Sequence, residues 1–440
     1  MSALRSWLLA LALIVSAAPM AVAETAPIEI QWWHAMTAVN GERVNKIAED
    51  FNKSQSAYKV VPVYKGNYPE TMSAGIAAFR AGNAPHIIQI FEVGTATMMA
   101  AKGAIKPVYQ LMAEAGEKFD PAAYLPTVTG YYSTSDGKML SLPFNSSSAI
   151  GYYNKDAFEK AGLDPAKPPK TWPEWFADAK KIRAAGYPCG FTAGWITWTQ
   201  IEQLNAWHNL PIGTKANGMD GLDTQFVFNT PFEVKHIGAL VEAQKDKSFD
   251  YGGRYADAES KFLSGECGML QSSSSFYGNV AKNAKFKFAT VALPYYPEVQ
   301  GAPQNTIIGG ASLWVMGGKK PEEYKGVAKF FAFLSQTPLQ VEFHKATGYL
   351  PITKAAYDAL KEEGYYQKNP DIEVTLKELT NKPPTENSRG LRFGNLVQIR
   401  DAWAEDLEAA FAGKETAQEA VDNAVKRGNA ILRQFEAAAK

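Results

Sequence analysis

Ile87-Ile88-Gln89-Ile90-Phe91 is a short run, apolar but for one residue, with Gly82 and Pro85 before it and Glu92-Val93-Gly94-Thr95 after it. A β-strand covered by helices on both faces reads in this way, because neither side of it meets water. Upstream, Met72, Gly75, Ile76 and Phe79 recur at helical spacing and form one face, which Gly82 ends. Before that helix, Lys59 to Tyr64 is β-branched and aromatic, as a strand should be. Earlier still, Val44, Ile47, Ala48 and Phe51 mark a helix, and Ile28, Ile30 and Trp32 alternate with other residues as in a strand. Strand, helix, strand, helix, strand predicts a parallel α/β sheet with right-handed crossovers.

The same alternation continues downstream. Val327, Phe330, Phe331 and Leu334 predict one amphipathic helix, and Val421, Ala424, Val425, Gly428, Leu432 and Phe435 another. Thr171-Trp172-Pro173-Glu174 and Thr416-Ala417-Gln418-Glu419 are capping boxes, each placing a hydroxyl and a carboxylate where free backbone amides need partners. There is no internal repeat, and the only low-complexity tract is the serine run Ser272 to Ser275.

The first residues read as a signal peptide over 1–23: Arg5 supplies the charge, Trp7 to Ala18 the apolar run, and Ala21-Val22-Ala23 the cleavage pattern. The apolar run is too short to span a bilayer, no comparable run follows, and no cysteine at the cleavage site offers a lipid anchor. The expected product is a soluble exported chain of 417 residues, long enough for two lobes. Its charges balance, 44 basic against 45 acidic, which gives no reason to expect nucleic acid or an anionic membrane as partner. Cys189 and Cys267 are the only cysteines, and an exported compartment permits either a disulfide or two buried thiols.

Enzyme signatures are missing. The sequence has no P-loop, no GxGxxG fingerprint, no GxSxG elbow and no HExxH pair, and its five histidines lie far apart. No metal site and no cofactor is expected. A glycan or glycerophosphodiester hydrolase needs only two placed carboxylates, and 45 acidic residues leave that reading open.

In open α/β sheets, ligands gather beyond the carboxyl ends of the strands. Three such ends are legible: Trp33-His34, Tyr64 to Tyr68, and Glu92 to Thr95. Aromatic faces there suit the apolar side of a polyol, and Glu92 can accept from its hydroxyls; the same residues serve equally as packing and as a helix cap. Donors for an anion are available in Asn145 to Ser148, Ser272 to Ser275, Gly309-Gly310 and Arg400.

Several longer stretches resemble the periplasmic glycerol-3-phosphate-binding proteins of ABC importers, within the family 1 extracellular solute-binding proteins. They are Tyr64 to Tyr68, Ala74 to Arg80, Glu92 to Met99, Pro143 to Ser147, Ile308 to Met316, Thr347 to Lys354 and Gln398 to Arg400, so the resemblance covers essentially the whole mature chain. It implies a two-lobed periplasmic binding protein fold, with a ligand cleft between the lobes and a hinge of crossing segments. By analogy, lobe I comprises 24–135 plus 292–348 and lobe II 136–291 plus 349–440, with crossings near Tyr131 to Gly137, Ala289 to Pro294 and Thr347 to Pro351. The family's ligand contacts carry over to Tyr68, Glu92, Ser147, Ser273, Gly310, Tyr349 and Arg400. Ser275 departs from the family pattern, which has glycine there. Trp172, Trp195 and Trp198 are similar to tryptophans near the cleft, although core packing or transporter docking would use the same rings.

The resemblance implies a periplasmic receptor that captures sn-glycerol 3-phosphate, and possible glycerophosphodiesters besides, and delivers it to an inner-membrane permease and its ATPase. A monomer is expected. Arg400 is expected at the phosphate end of the ligand and Glu92 at the glycerol end. Binding proteins for a neutral sugar or for glycerophosphocholine alone remain the alternatives, with the hydrolase as an alternative of another class.

Overall fold

The computed structural model describes residues 26–101 and 103–439; the expected signal peptide lies outside the described residues. Two sheets organise the chain. The first has the order β2 (Tyr58–Tyr64), β1 (Ile28–His34), β3 (Ile87–Phe91), β9 (Gly309–Val315), β4 (Leu142–Ser147). The second has the order β6 (Cys189–Ala193), β7 (Cys267–Ser273), β5 (Ala149–Asn154), β8 (Phe288–Val291). Helices pack on both, so the fold is two-lobed α/β.

The opening strands form as their patterns require. Every residue of β3 is buried, and Val44, Ile47, Ala48 and Phe51 are the buried stripe of helix α1 (Ala38–Ser54). Helix α2 (Tyr68–Arg80) departs from expectation. Met72 and Gly75 face the core, but Ile76 and Phe79 are 36% and 39% exposed, and Thr71 and Ala78 are buried instead. The helix is turned by the close approach of Gly75 to β3, where a Cβ would lie 2.2 Å from Ile88 Cδ1.

The first sheet is mixed rather than parallel. β1, β2 and β3 are parallel, but β9 runs antiparallel to both β3 and β4. The reason is connectivity: β9 is where the chain comes back from the second lobe, so it enters the first sheet at the cleft end. The expected lobe boundary at 135–136 is also corrected. Leu142–Ser147 is hydrogen-bonded to β9 in the first sheet, and Ala149–Asn154 pairs with β7 and β8 in the second, so the first crossing falls between Ser147 and Ala149. The chain crosses back between β8 and β9, through residues 292–308.

Both capping boxes close as read, Thr171 with Glu174 and Thr416 with Glu419. The two cysteines stand opposite one another on the parallel strands β6 and β7 and are joined in a disulfide. No helix among the described residues is long and apolar enough to cross a membrane.

Candidate functional site

A cavity of about 330 Å³ lies where the two sheets point their strand ends at one another. From the first lobe come the loop after β1, Tyr68, Glu92 at the end of β3, Ser147 at the end of β4, and Gly309 and Gly310 at the start of β9. From the second come Trp195 and Trp198 beyond β6, Ser273 at the end of β7, Ser275, and Arg400 on the helix Leu396–Phe411. Tyr349, just past the helix Thr337–Thr347, completes the wall. All seven residues carried over from the family therefore surround one space.

Each is fixed by a local cause. Tyr68 opens α2 because Asn67 and Glu70 form a reciprocal cap that the sequence reading missed. Its ring stacks on Phe91, with centroids 5.1 Å apart and planes 7° apart. A relay then orients its hydroxyl: the Ala35 amide donates to Gln89 Oε1, Gln89 Nε2 to Asn145 Oδ1, and Asn145 Nδ2 to Tyr68 Oη, each at 2.8 Å. The Tyr68 oxygen is thereby an acceptor, and its proton is left to donate. The Tyr349 hydroxyl is in hydrogen-bond contact with Tyr68, Asn145 and Ser275. Burial, first of all, pushes both phenols above their ordinary range, so both remain neutral donors.

The serine run resolves by alternation. Ser272 Oγ turns away and donates to Glu259 at 2.7 Å, whereas Ser273 and Ser275 line the cavity with their hydroxyls 2.8 Å apart. Gly310 has φ +89°, and a Cβ there would sit 1.8 Å from the Asn145 carbonyl oxygen. Only glycine lets β9 bring bare backbone to the cavity at that point.

Arg400 sits between two carboxylates. Its Nε donates to Glu202 Oε1 at 2.6 Å, and Nη2 donates to Glu202 Oε2 at 2.6 Å and to Glu92 Oε1 at 2.8 Å. Among the described residues no acceptor engages Nη1, which leaves one guanidinium nitrogen for a ligand. Burial alone would lower the Arg400 pKa, but Glu202 and Glu92 outweigh it and keep the group charged. Glu92 is pushed up to about 7, chiefly by burial, with Arg400 opposing and Glu202 reinforcing the shift. The expected separation of Arg400 and Glu92 at opposite ends of the ligand is thus corrected: they are in direct contact. Glu202 was missed because it lies in a tryptophan-flanked stretch, Trp198 to Trp207, that reads as core; a charged residue inside such a run was the only signal.

The tryptophans divide. Trp195 lines the cavity with its edge toward Tyr255, centroids 5.7 Å apart, and its indole hydrogen-bonds Glu259. Trp198 also lines the cavity, and its buried Nε1 has no hydrogen-bond partner among the described residues. Trp172 is corrected as a cleft aromatic. It is 2% exposed in the second-lobe core, against His236 at 4.5 Å and stacked on Tyr296, since it is the first residue of a helix whose apolar face must cover β6.

Two lobes with a cavity between them define the solute-binding class of protein. Residues 46–374 match the model of the family described as bacterial extracellular solute-binding protein, and the chain belongs to that family. It is 53% identical over 408 residues to the sn-glycerol-3-phosphate-binding periplasmic protein UgpB of Brucella abortus (strain 2308), spanning 92% of this chain and 94% of that protein. The protein of the same name from Yersinia pseudotuberculosis serotype I is 51% identical over 433 residues, 98% of this chain and 97% of that one. Among solved structures, UgpB from Mycobacterium tuberculosis in complex with glycerophosphocholine superposes with a TM-score of 0.78 at 22% identity, covering 93% of this chain and 99% of that one. Maltose-bound T. maritima MalE3 does so with 0.74 at 20% identity, covering 92% and 100%. At that identity the two structures speak to the fold alone.

Proposed function

We propose that this protein is a non-catalytic periplasmic receptor that captures sn-glycerol 3-phosphate between its lobes and delivers it, as a monomer, to the inner-membrane permease of an ABC importer and so to its ATPase. One observation carries the reading: Tyr68, Glu92, Ser147, Ser273, Gly310, Tyr349 and Arg400 all face one small cavity that neither lobe forms alone. The cavity is at the lower end of the size range of small-molecule sites, which suits a three-carbon phosphomonoester. The hydroxyls of Tyr68, Ser147, Ser273, Ser275 and Tyr349, with the backbone at Gly310, supply neutral donors for a phosphate. Each such bond to a charged group contributes roughly 1.5 to 3 kcal/mol. The Glu92–Arg400 pair and the indoles of Trp195 and Trp198 then receive the glycerol end. Because donors come from both lobes, ligand favours the closed form, whose surface the permease would recognise. The names of the Brucella and Yersinia relatives support the choice of ligand.

A second reading is a glycerophosphodiester with a cationic alcohol. It is favoured by the rings of Trp195 and Tyr255 beside the Asp257 and Glu259 carboxylates on the same cavity wall, a surface that suits a quaternary ammonium. Calorimetric titration of the purified protein with glycerol 3-phosphate, glycerophosphocholine and maltose separates the possibilities. Saturable 1:1 binding of glycerol 3-phosphate is expected; a response to maltose alone would remove the phosphate reading.

A further inference from the structure

The cavity proposed to receive a phosphomonoester is poor in positive charge. Among the described residues that line it, Arg400 is the only cation, against the carboxylates of Glu92, Asp257 and Glu259. Arg400 is itself already answered. Glu202 holds it through two bonds of 2.6 Å, to Nε and Nη2, while Glu92 has a single bond of 2.8 Å to Nη2. Glu92 belongs to the first lobe and Arg400 and Glu202 to the second, so the guanidinium is paired within its own lobe and meets its second carboxylate across the cleft. All three side chains are buried, at most 6% exposed. Two carboxylates and one guanidinium leave a negative excess, and a phosphate dianion entering the same cavity adds to it.

We propose that capture of the phosphomonoester is coupled to uptake of one proton from solvent, held on Glu92 while the ligand is bound and returned when it leaves. This rests on the function proposed above. The carboxylate nearest the guanidinium but least bound to it is the one that can lose its charge with least cost, because Glu202 alone still gives Arg400 a bidentate partner. Protonated Glu92 keeps one oxygen as an acceptor toward Arg400 and gains an O–H donor for the ligand. The surroundings agree. Tyr131 and Tyr132, on the helix Pro126–Tyr132, and Tyr68 on α2 are the other titratable groups that face Glu92, and all three are neutral phenols. The helix Thr95–Ala100 and β9, which also pack on the Glu92 turn, bring no charged side chain to it. Burial pushes Glu92 up to about 7, and a dianion beside it acts in the same direction.

Calorimetry at pH 8 tests the proposal, since there the free ligand is a dianion and Glu92 is mostly ionised. The full protein is titrated with sn-glycerol 3-phosphate in buffers of low and high ionisation enthalpy. The expected result is a binding heat that varies linearly with buffer enthalpy, with a slope of about half to one proton taken up, and an affinity that weakens by up to about tenfold per pH unit above neutrality. Infrared difference spectra on adding ligand should show a protonated-carboxyl band appear, and Glu92→Gln should lose both the band and the buffer slope. Binding whose heat ignores the buffer would overturn the linkage and leave the function standing. Proton uptake without a new carboxyl band would place the proton on the ligand and overturn the assignment to Glu92. Failure to bind the ligand in any buffer would overturn both the linkage and the function it rests on.

Discussion

Arg400 and Glu92 meet across the cleft, Nη2 of one donating to Oε1 of the other at 2.8 Å, so an ion pair ties the helix Leu396–Phe411 of the second lobe to the end of β3 in the first. The only guanidinium lining the cavity among the described residues is therefore a structural tie as well as the proposed ligand group. Its removal has two consequences that must be told apart.

Arg400→Met strands the Glu202 and Glu92 carboxylates in a buried place without a cation. Breaking a buried pair from one side costs about 3 to 5 kcal/mol, so the variant should unfold at clearly lower urea concentration as well as lose glycerol 3-phosphate. Adding Glu202→Gln should restore much of the stability and none of the binding. Equal stability of Arg400→Met and the parent would contradict the geometry of the cluster.

Tyr349→Phe deletes one hydroxyl from the group shared by Tyr68, Asn145 and Ser275 and leaves the ring, which stacks on Phe343 with planes 3° apart. Affinity should fall roughly five- to tenfold, the worth of one hydrogen bond, with the thermal midpoint nearly unchanged. Titration calorimetry and thermal unfolding of the same preparation check both halves.

Gly310→Ala puts a methyl 1.8 Å from the Asn145 carbonyl oxygen at a backbone angle of φ +89°. β9 must move, and a loss of at least about 3 kcal/mol with abolished binding is expected. Gly130→Ala is the control: its Cβ would meet nothing within 4 Å, and stability should hold or rise slightly.

His236 is buried between Gln200 and Tyr296, at 3.0 and 3.1 Å, and burial lowers its pKa from 6.5 to about 3. Below pH 6.5 the unfolded chain binds a proton that the folded chain refuses, so stability is lost as pH falls from 6.5 toward 3. His236→Gln removes that proton. Less stable than the parent at pH 7.5, it should narrow the gap by about 1.4 kcal/mol for each unit below 6.5. Urea midpoints across that range give the slope; a gap independent of pH would mean that His236 is charged in the fold.

Much of the architecture was legible because it follows from local periodicity. The β3 run had to be covered on both faces, the α1 stripe had to turn inward, and the two capping boxes had to close, since each depends on residues a few positions apart. The direction of β9 and the lobe assignment of Leu142–Ser147 were not legible, because strand pairing between segments more than 150 residues apart leaves no periodic trace. The exposed Ile76 and Phe79 misled for a related reason: spacing names a helix face, but the approach of Gly75 to Ile88 chooses its rotation.

The sequence by itself determined the α/β class and the two helix starts at Thr171 and Thr416, and, through resemblance, the two lobes and which seven residues would gather. Tertiary structure alone decided what those residues do to one another. Glu92 and Arg400 are 308 positions apart in the chain, and Arg400 and Glu202 are 198 apart. The contact of Glu92 with Arg400 is set by how the two lobes meet, and the Arg400–Glu202 pair and the burial of Trp172 by packing within the second lobe; in each case distance is set by packing and not by spacing along the chain.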